Sequence, residues 1–363
     1  MKNSILFTSK SIGNLNLKNR FIRSATHNNT SDPQGYPTAQ TKLVFDDLAN
    51  GEIALIITGA TAINKCNGYY IMDDDKYIKP WQKITDSVHK KGSLIAMQIF
   101  HPGRQQKVQN NNTSIAPSAI PPKLGQPIPK SMTLTEIEDT IEAFAQSGLR
   151  AKKAGFDAIQ LHVAHGYLLS SFISPASNIR KDKYGGSIEN RSRIVVDIIK
   201  RTRELLGNDY PILAKLNFID GLQGGLKENE GLAIAKIMTK TGIDSIEISG
   251  GTLANIDIPL RKIKSEDEES YFKNYAKILK NELDIPVMLV GGNRSFNRLE
   301  KIIESKNADF ISLCRPLISE PNLVKRWYKG DISKPKCISC NACLRPLSAG
   351  KPIYCVVNKK TNR

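Results

Sequence analysis

The 363-residue chain is 40% hydrophobic and 24% charged, a balance that lets a globular protein bury a full core, at a length one (β/α)8 barrel with insertions fills. No apolar run approaches the roughly 18 residues of a membrane span. The N-terminus, MKNSILFTSKSIGNLNLKNRF, has no sustained apolar segment ahead of a small-residue cleavage site, so the expectation is a cytoplasmic protein without membrane contact. The net charge of +17 comes from lysines and arginines spread along the chain, with no basic arm or zinc-finger spacing; it points away from nucleic acid, toward a lysine-rich surface or an acidic small molecule or redox partner.

Eight short apolar runs of strand type follow one another: 20–25, 53–60, 93–100, 156–164, 210–218, 243–251, 285–292 and 308–315. They are near-continuous in Val, Ile and Leu, as parallel strands covered on both faces require. A helical pattern follows each. In TLTEIEDTIEAFAQSGLRAKKAG, Thr135 with Glu138 forms a capping-box pattern, Ile137, Ile141 and Phe144 supply the apolar stripe, and Gly155 closes the helix. Strand alternating with helix eight times predicts a (β/α)8 TIM barrel over 1–330, followed by a cysteine-rich segment over 331–363. The Pro- and Asn-rich stretch 101–132 reads as a loop over the site.

In such a barrel the chemistry sits at the carboxyl ends of the strands. Those ends carry Ser24 to His27, Ala60, Gln98 with His101, His162 with His165, Lys215, the SGG of 249–251, Gly291 with Gly292, and Arg315. A glycine pair after the seventh strand and an arginine after the eighth make a phosphate site from bare amides and a guanidinium fork. The stretch LHVAHGYLLS puts two of the five histidines and a tyrosine where the fourth strand runs out. Read as alternating, same-side positions, His162, His165 and Tyr167 are donors aimed at a ligand; the plainer reading is satisfied core histidines and a loop-anchoring tyrosine.

The long stretch HVAHGYLLSSFISPASNIRKDKYGGSIENRSR resembles the signature of the Old Yellow Enzyme family of FMN-dependent NAD(P)H oxidoreductases, and LKNRFIRSAT, QIFHPGRQ, IAPSAI and ADFISLCRPLISEPNL match its other blocks in order. The resemblance implies FMN at the barrel mouth, with its phosphate on Gly291, Gly292 and Arg315. Ser24, Ala25 and Thr26 would follow the isoalloxazine edge, Ala60 and Gln98 the pyrimidine end, and Lys215 would sit beside N1 and the C2 oxygen. There a cation stabilises the charge that reduction leaves. His162 and His165 would hold the oxygen of an activated alkene, and Tyr167 would protonate its α-carbon. Two positions depart from the pattern: His27 stands where many relatives have Cys or Thr, and Cys314 where glycine is common. The loops around 65–75, 101–132 and 252–275 would select the substrate.

Cys66 and Cys314 stand alone, whereas Cys337, Cys340, Cys343 and Cys355 crowd into nineteen residues with the spacing C-x2-C-x2-C-x11-C. Three thiolates within seven residues and a distant fourth suit a [4Fe–4S] cluster. A structural zinc would want a second CxxC, and unligated thiols remain the third reading. This tail is similar to the iron–sulfur segment of the branch containing 2,4-dienoyl-CoA reductase and trimethylamine dehydrogenase. Multidomain relatives continue past it into an FAD- and nicotinamide-binding portion, so the expectation is that no internal pyridine-nucleotide site feeds electrons to this barrel. The sequence therefore points to an FMN-dependent ene-reductase acting on an enone-type substrate, with NADH, NADPH or a ferredoxin-like carrier as donor and self-association left open. The rivals are an amine or alcohol dehydrogenase passing electrons outward and a flavin carrier without turnover.

Overall fold

The structure, a computed structural model, describes residues 1–106 and 113–358. Its core is a closed parallel barrel of eight strands: β1 (Phe21–Arg23), β2 (Leu55–Ile57), β3 (Leu94–Phe100), β4 (Ala158–Val163), β5 (Ile212–Asn217), β6 (Ser245–Ser249), β7 (Val287–Leu289) and β8 (Phe310–Leu313). Each pairs in parallel with the next and β8 returns to β1, which closes the ring. All eight predicted strands are present, trimmed at both ends except β3, which keeps its end at Phe100. Helices α1 (Ala39–Asn50), α2 (Ile78–His89), α3 (Leu134–Lys153), α4 (Ile188–Leu206), α5 (Glu228–Thr241), α6 (Lys273–Glu282), α7 (Phe296–Glu304) and α8 (Leu323–Tyr328) follow the strands in turn.

Strand alternation sorts the side chains. Ile22, Leu55, Ile57, Ala96, Ala158, Leu213, Met288 and Phe310 form one apolar cluster inside the ring, plugged from below by Ile12, Leu15 and Leu17 of an antiparallel hairpin, Lys10–Ile12 with Leu15–Leu17. Their neighbours Phe21, Ile56, Ile95, Ile159, Ile212, Ile246, Val287 and Ile311 belong to the second cluster, under the helices. Because successive residues point to opposite faces, the inward positions further along the strands fall to Gln98, Gln160, His162, Lys215, Asn217, Glu247, Ser249 and Ser312. The barrel is apolar below and polar above, and the polar end is the carboxyl end.

Helix α3 begins two residues earlier than its sequence suggested. Thr133, not Thr135, is the cap: its hydroxyl accepts from the Glu136 amide at 3.2 Å, and the Glu136 carboxylate accepts from the Thr133 amide at 2.8 Å. TLTEIE contains the capping pattern twice. Pairing of Lys130–Ser131 with Ile115–Ala116, and the Met132 amide on the Ala116 carbonyl, hold the chain extended up to the first copy. The predicted end stands, with Gly155 left-handed at φ 80° after the last turn. Of the loop 101–132, residues 107–112 lie outside the described residues; the rest runs beside the β4 exit. The segment after 330 turns back over the β1–β8 side, where the Ile353 amide donates to the Asn28 carbonyl at 3.0 Å. No helix among the described residues is long and apolar enough to cross a membrane.

Candidate functional site

The floor of the barrel mouth is a buried polar chain. Lys215 on β5 and Glu247 on β6 are register partners, and the Lys215 ammonium lies 2.8 Å from the Glu247 carboxylate and 3.0 Å from the Ser24 hydroxyl. The Gln98 amide donates to the Gln160 carbonyl oxygen at 2.7 Å, and the Gln160 amide donates to Glu247 at 3.1 Å. Burial, the largest single influence, opposes ionisation of Glu247, but the Lys215 charge and hydrogen bonds from Lys215, Ser24 and Ser312 together hold the carboxyl below its usual range. Ser24, Gln98 and Lys215, predicted from separate strands, are thus one connected system.

His162, His165 and Tyr167 meet above this floor. The His162 ring centroid lies 5.1 Å from that of His165 and 4.9 Å from that of Tyr167. Strand alternation does not bring them together: positions 162 and 165 differ by three and would face opposite sides of a continuing strand. Instead β4 ends at Val163, and left-handed His165 (φ 63°) and Gly166 (φ 78°) swing the chain back. Three bonds hold that turn. The Asn217 side chain accepts from the His165 amide, Gln105 donates to the His165 carbonyl at 2.8 Å, and the His165 Nε2 lies 2.8 Å from the Ser249 hydroxyl.

Both imidazoles are neutral. Burial, then closeness to His165 and to the Lys215 ammonium, push His162 well below the ordinary histidine value; burial and Lys215 push His165 down to about 3. The His162 Nδ1 is buried and has no partner, so one polar atom at the lip is unspent. Burial raises the Tyr167 hydroxyl, which also shares a hydrogen bond with Tyr69. Tyr69 stacks on His27 at 4.5 Å and on Phe100 at 4.8 Å, in an apolar wall with Ala60 and Cys66. His101 belongs to the scaffold: its Nδ1 accepts from the Gly103 amide at 3.0 Å and its Nε2 faces Asn64 at 2.9 Å.

The residues expected to hold a phosphate follow β7 and β8. Gly291 (φ 113°) and Gly292 (φ 74°) are left-handed, and a Cβ on either would meet the Tyr271 ring within 3 Å. Among the described residues neither amide donates to a backbone carbonyl. Arg315 is buried after β8 with its guanidinium 2.5 Å from the Asn341 side-chain oxygen, and the buried Nε of Arg294 has no partner. Amides without a backbone acceptor and guanidinium groups are the donors a phosphate takes, and the Tyr271 ring packs on both glycines and interacts with Arg315. Ala25 and Thr26 line the β1 exit, where the Thr26 hydroxyl lies 3.2 Å from the Cys314 sulfur.

Cys337, Cys340, Cys343 and Cys355 line a single cavity with Arg315 and Asn341. Ser339 and Asn341, both left-handed, bend the chain around it. Among the described residues no three of His, Cys, Asp and Glu stand close enough to hold a single metal ion. A separate cavity of about 730 Å3 opens on the flank between α1 and α8, away from the strand-end groups except Arg23. Converging polar groups, not size, mark the site.

The model of the NADH:flavin oxidoreductase / NADH oxidase family matches residues 5–332. The chain belongs to this family. It is 35% identical to an NADH oxidase of Thermoanaerobacter brockii over 93% of its own length and 52% of that protein's. It is 34% identical to an NADPH dehydrogenase of Clostridium acetobutylicum over 88% of its length and 93% of that protein's. Among solved structures, histamine dehydrogenase from Rhizobium sp. 4-9 superimposes with a TM-score of 0.88 at 25% identity, covering 100% of this chain and 53% of that one. The chain thus spans about half the length of the first of these relatives. The shorter NADPH dehydrogenase of the family matches less of this chain than histamine dehydrogenase, whose fold accompanies the tail as well as the barrel.

Four contributors escaped the sequence reading: Glu247, Gln160, Tyr69 and Asn341. The first two had a signal, being charged or amide side chains at inward positions of otherwise apolar strands. Tyr69 and Asn341 lie in irregular chain, where spacing carries no facing information.

Proposed function

We propose that this protein is an FMN-dependent ene-reductase that reduces an alkene conjugated to a carbonyl. The observation that carries the reading is the meeting of two neutral histidines and a tyrosine above a buried lysine at the barrel mouth. Bound FMN would supply the hydride, delivered to the carbon β to the carbonyl. His162 and His165 donate to the carbonyl oxygen and stabilise the negative charge that grows on it. Remaining neutral suits them to this, since hydrogen-bond donation needs no ionisation. Tyr167 holds the proton for the α-carbon; its raised pKa keeps that proton in place until the carbon becomes basic. Lys215, with Ser24 and Glu247 fixing its position, stands ready to offset charge at the flavin pyrimidine, and Gly291, Gly292 and Arg315 would hold the phosphate.

A second reading sends electrons outward. The four cysteines around one cavity would hold a [4Fe–4S] cluster able to exchange electrons singly with an external acidic carrier such as a ferredoxin, which the charge of +17 would attract. The likeness to histamine dehydrogenase favours an amine as the source of those electrons. Against an amine, the donors a cation would meet are neutral imidazoles in place of an anion; the rings of Tyr69, Phe100 and Tyr167 beside them are what would favour it.

Anaerobic stopped-flow separates the two. Mixing with NADH or NADPH should bleach the flavin, and 2-cyclohexenone should restore its colour. Bleaching by a primary amine, with no reoxidation by the enone, would overturn the ene-reductase reading.

A further inference from the structure

The cysteine segment and the phosphate cradle are joined by one side chain. Asn341, between Cys340 and Cys343, accepts from the Arg315 guanidinium at 2.5 Å and donates through its amide nitrogen to the Leu260 carbonyl at 2.5 Å. Its backbone is left-handed (φ 61°), a conformation asparagine tolerates better than most residues. That turn aims the amide inward. The two partners come from opposite sides of the cradle. Arg315 follows β8, whereas Leu260 lies in the chain between β6 and α6 that also supplies Tyr271. The Tyr271 ring packs on both glycines, its hydroxyl donates to the Pro259 carbonyl at 2.9 Å, and Arg315 lies within its electrostatic reach.

A guanidinium on a long stem loses rotamer freedom when it grips an anion. Tethered beforehand, it has less to lose. We infer that Asn341 is a positioning residue for the flavin phosphate: it fixes the Arg315 guanidinium beside Gly291 and Gly292 before the cofactor arrives, and so makes the fold of the cysteine segment part of the grip on the flavin. This rests on the reading that Arg315 binds that phosphate. In this role Asn341 would act on the phosphate through Arg315, the side chain it holds.

The test compares FMN with riboflavin, which lacks the phosphate, by fluorescence titration of anaerobically purified full-length protein stripped of its flavin. Asn341→Gly removes the side chain and keeps the left-handed backbone unstrained. It should lower the preference for FMN over riboflavin by about fivefold to tenfold, the cost of ordering one long side chain, and leave riboflavin affinity unchanged. Asn341→Ser, too short to reach both partners, should do the same. In an Arg315→Ala background neither change should have any further effect. Equal weakening of both flavins, or an unchanged preference in both Asn341 variants, would overturn the inference. Failure of the underlying reading would look different: Arg315→Ala alone would then leave the FMN preference intact.

Discussion

Lys215 and Glu247 form an ion pair of 2.8 Å inside the barrel, side by side in the β5–β6 register, with the Ser24 hydroxyl on the same ammonium and the Gln160 amide on the same carboxylate. An ammonium has three protons, and these contacts use two. Ser24 and Glu247 between them fix where Lys215 holds its charge.

Replacing Lys215 by Met removes the cation that would stabilise reduced flavin. The two-electron potential of bound FMN should become more negative by about 30 to 60 mV, the equivalent of losing one charged hydrogen bond. Glu247→Gln unburdens the same ammonium and should shift the potential the other way. Potentials measured by xanthine oxidase equilibration with reference dyes give the sign. An unchanged potential in Lys215→Met would mean that the pair only fastens β5 to β6.

The barrel was legible because its strands are buried on both faces and their composition states it directly. Which strand-end residues converge was legible too, since parallel strands with known ends put Ser24, Gln98, Lys215, Gly291 and Arg315 on one rim. Whatever departs from regular geometry was not. TLTEIE offers two equivalent helix starts, and only the pairing of Lys130–Ser131 with Ile115–Ala116 selects Thr133 over Thr135. His165 joins His162 through a left-handed turn that strand alternation would forbid. Glu247 sits at an inward position of an apolar strand, and only the β5–β6 register shows that it lies beside Lys215.

Tyr167→Phe should slow reoxidation of the reduced enzyme by an enone by about 10² to 10⁴ and leave reduction by NADH or NADPH nearly unchanged. The ring keeps its contacts with Phe100 and His162 in that variant, so the loss isolates the hydroxyl. Tyr69→Phe removes only the neighbouring hydroxyl and should have a much smaller effect. Equal slowing of both half-reactions by Tyr167→Phe would make the tyrosine a structural anchor.

The two histidines at the barrel mouth predict a flat pH profile. A histidine whose folded pKa is depressed stays neutral as pH falls through the ordinary value near 6.5, and His165 does so down to about 3. His162 is lowered in the same direction by burial first, then by its closeness to His165, which cannot share a second positive charge, and to the Lys215 ammonium. Reoxidation by 2-cyclohexenone, a neutral ligand, should show no ionisation between pH 5 and 8 (an interval within about two units of the ordinary value). The linked stability has the matching sign: it is present above the unfolded value and is lost as acid forces protons onto the buried rings. A kinetic ionisation near 6.5 that disappears in His162→Asn or His165→Asn would refute the neutral-donor assignment.

The tail makes the last prediction, because its cysteines are positioned but their ligand is an expectation of chemistry. Ser339 and Asn341 take left-handed backbone at φ 56° and 61°, and this coils Cys337, Cys340 and Cys343 around a cavity that Cys355 closes from the far side. Tetrahedral zinc at about 2.3 Å would draw four sulfurs to about 3.8 Å from one another, whereas a cubane spreads its thiolates over separate corners. Three of the four are buried and only Cys340 is exposed, so a bound cluster would be sheltered with one edge toward solvent, as exchange with an external carrier needs. Anaerobic purification should yield about four irons and four sulfides per chain, with an EPR signal after dithionite that Cys340→Ser abolishes. That variant should still bind FMN, because Arg315 and the strand-end groups remain, but with a lowered preference for FMN over riboflavin, because Asn341 is the neighbour of Cys340 and holds Arg315. Stoichiometric zinc, or no metal under strict anaerobiosis, would remove the cluster and with it the outward route for electrons, leaving reduction of the flavin to NADH or NADPH alone.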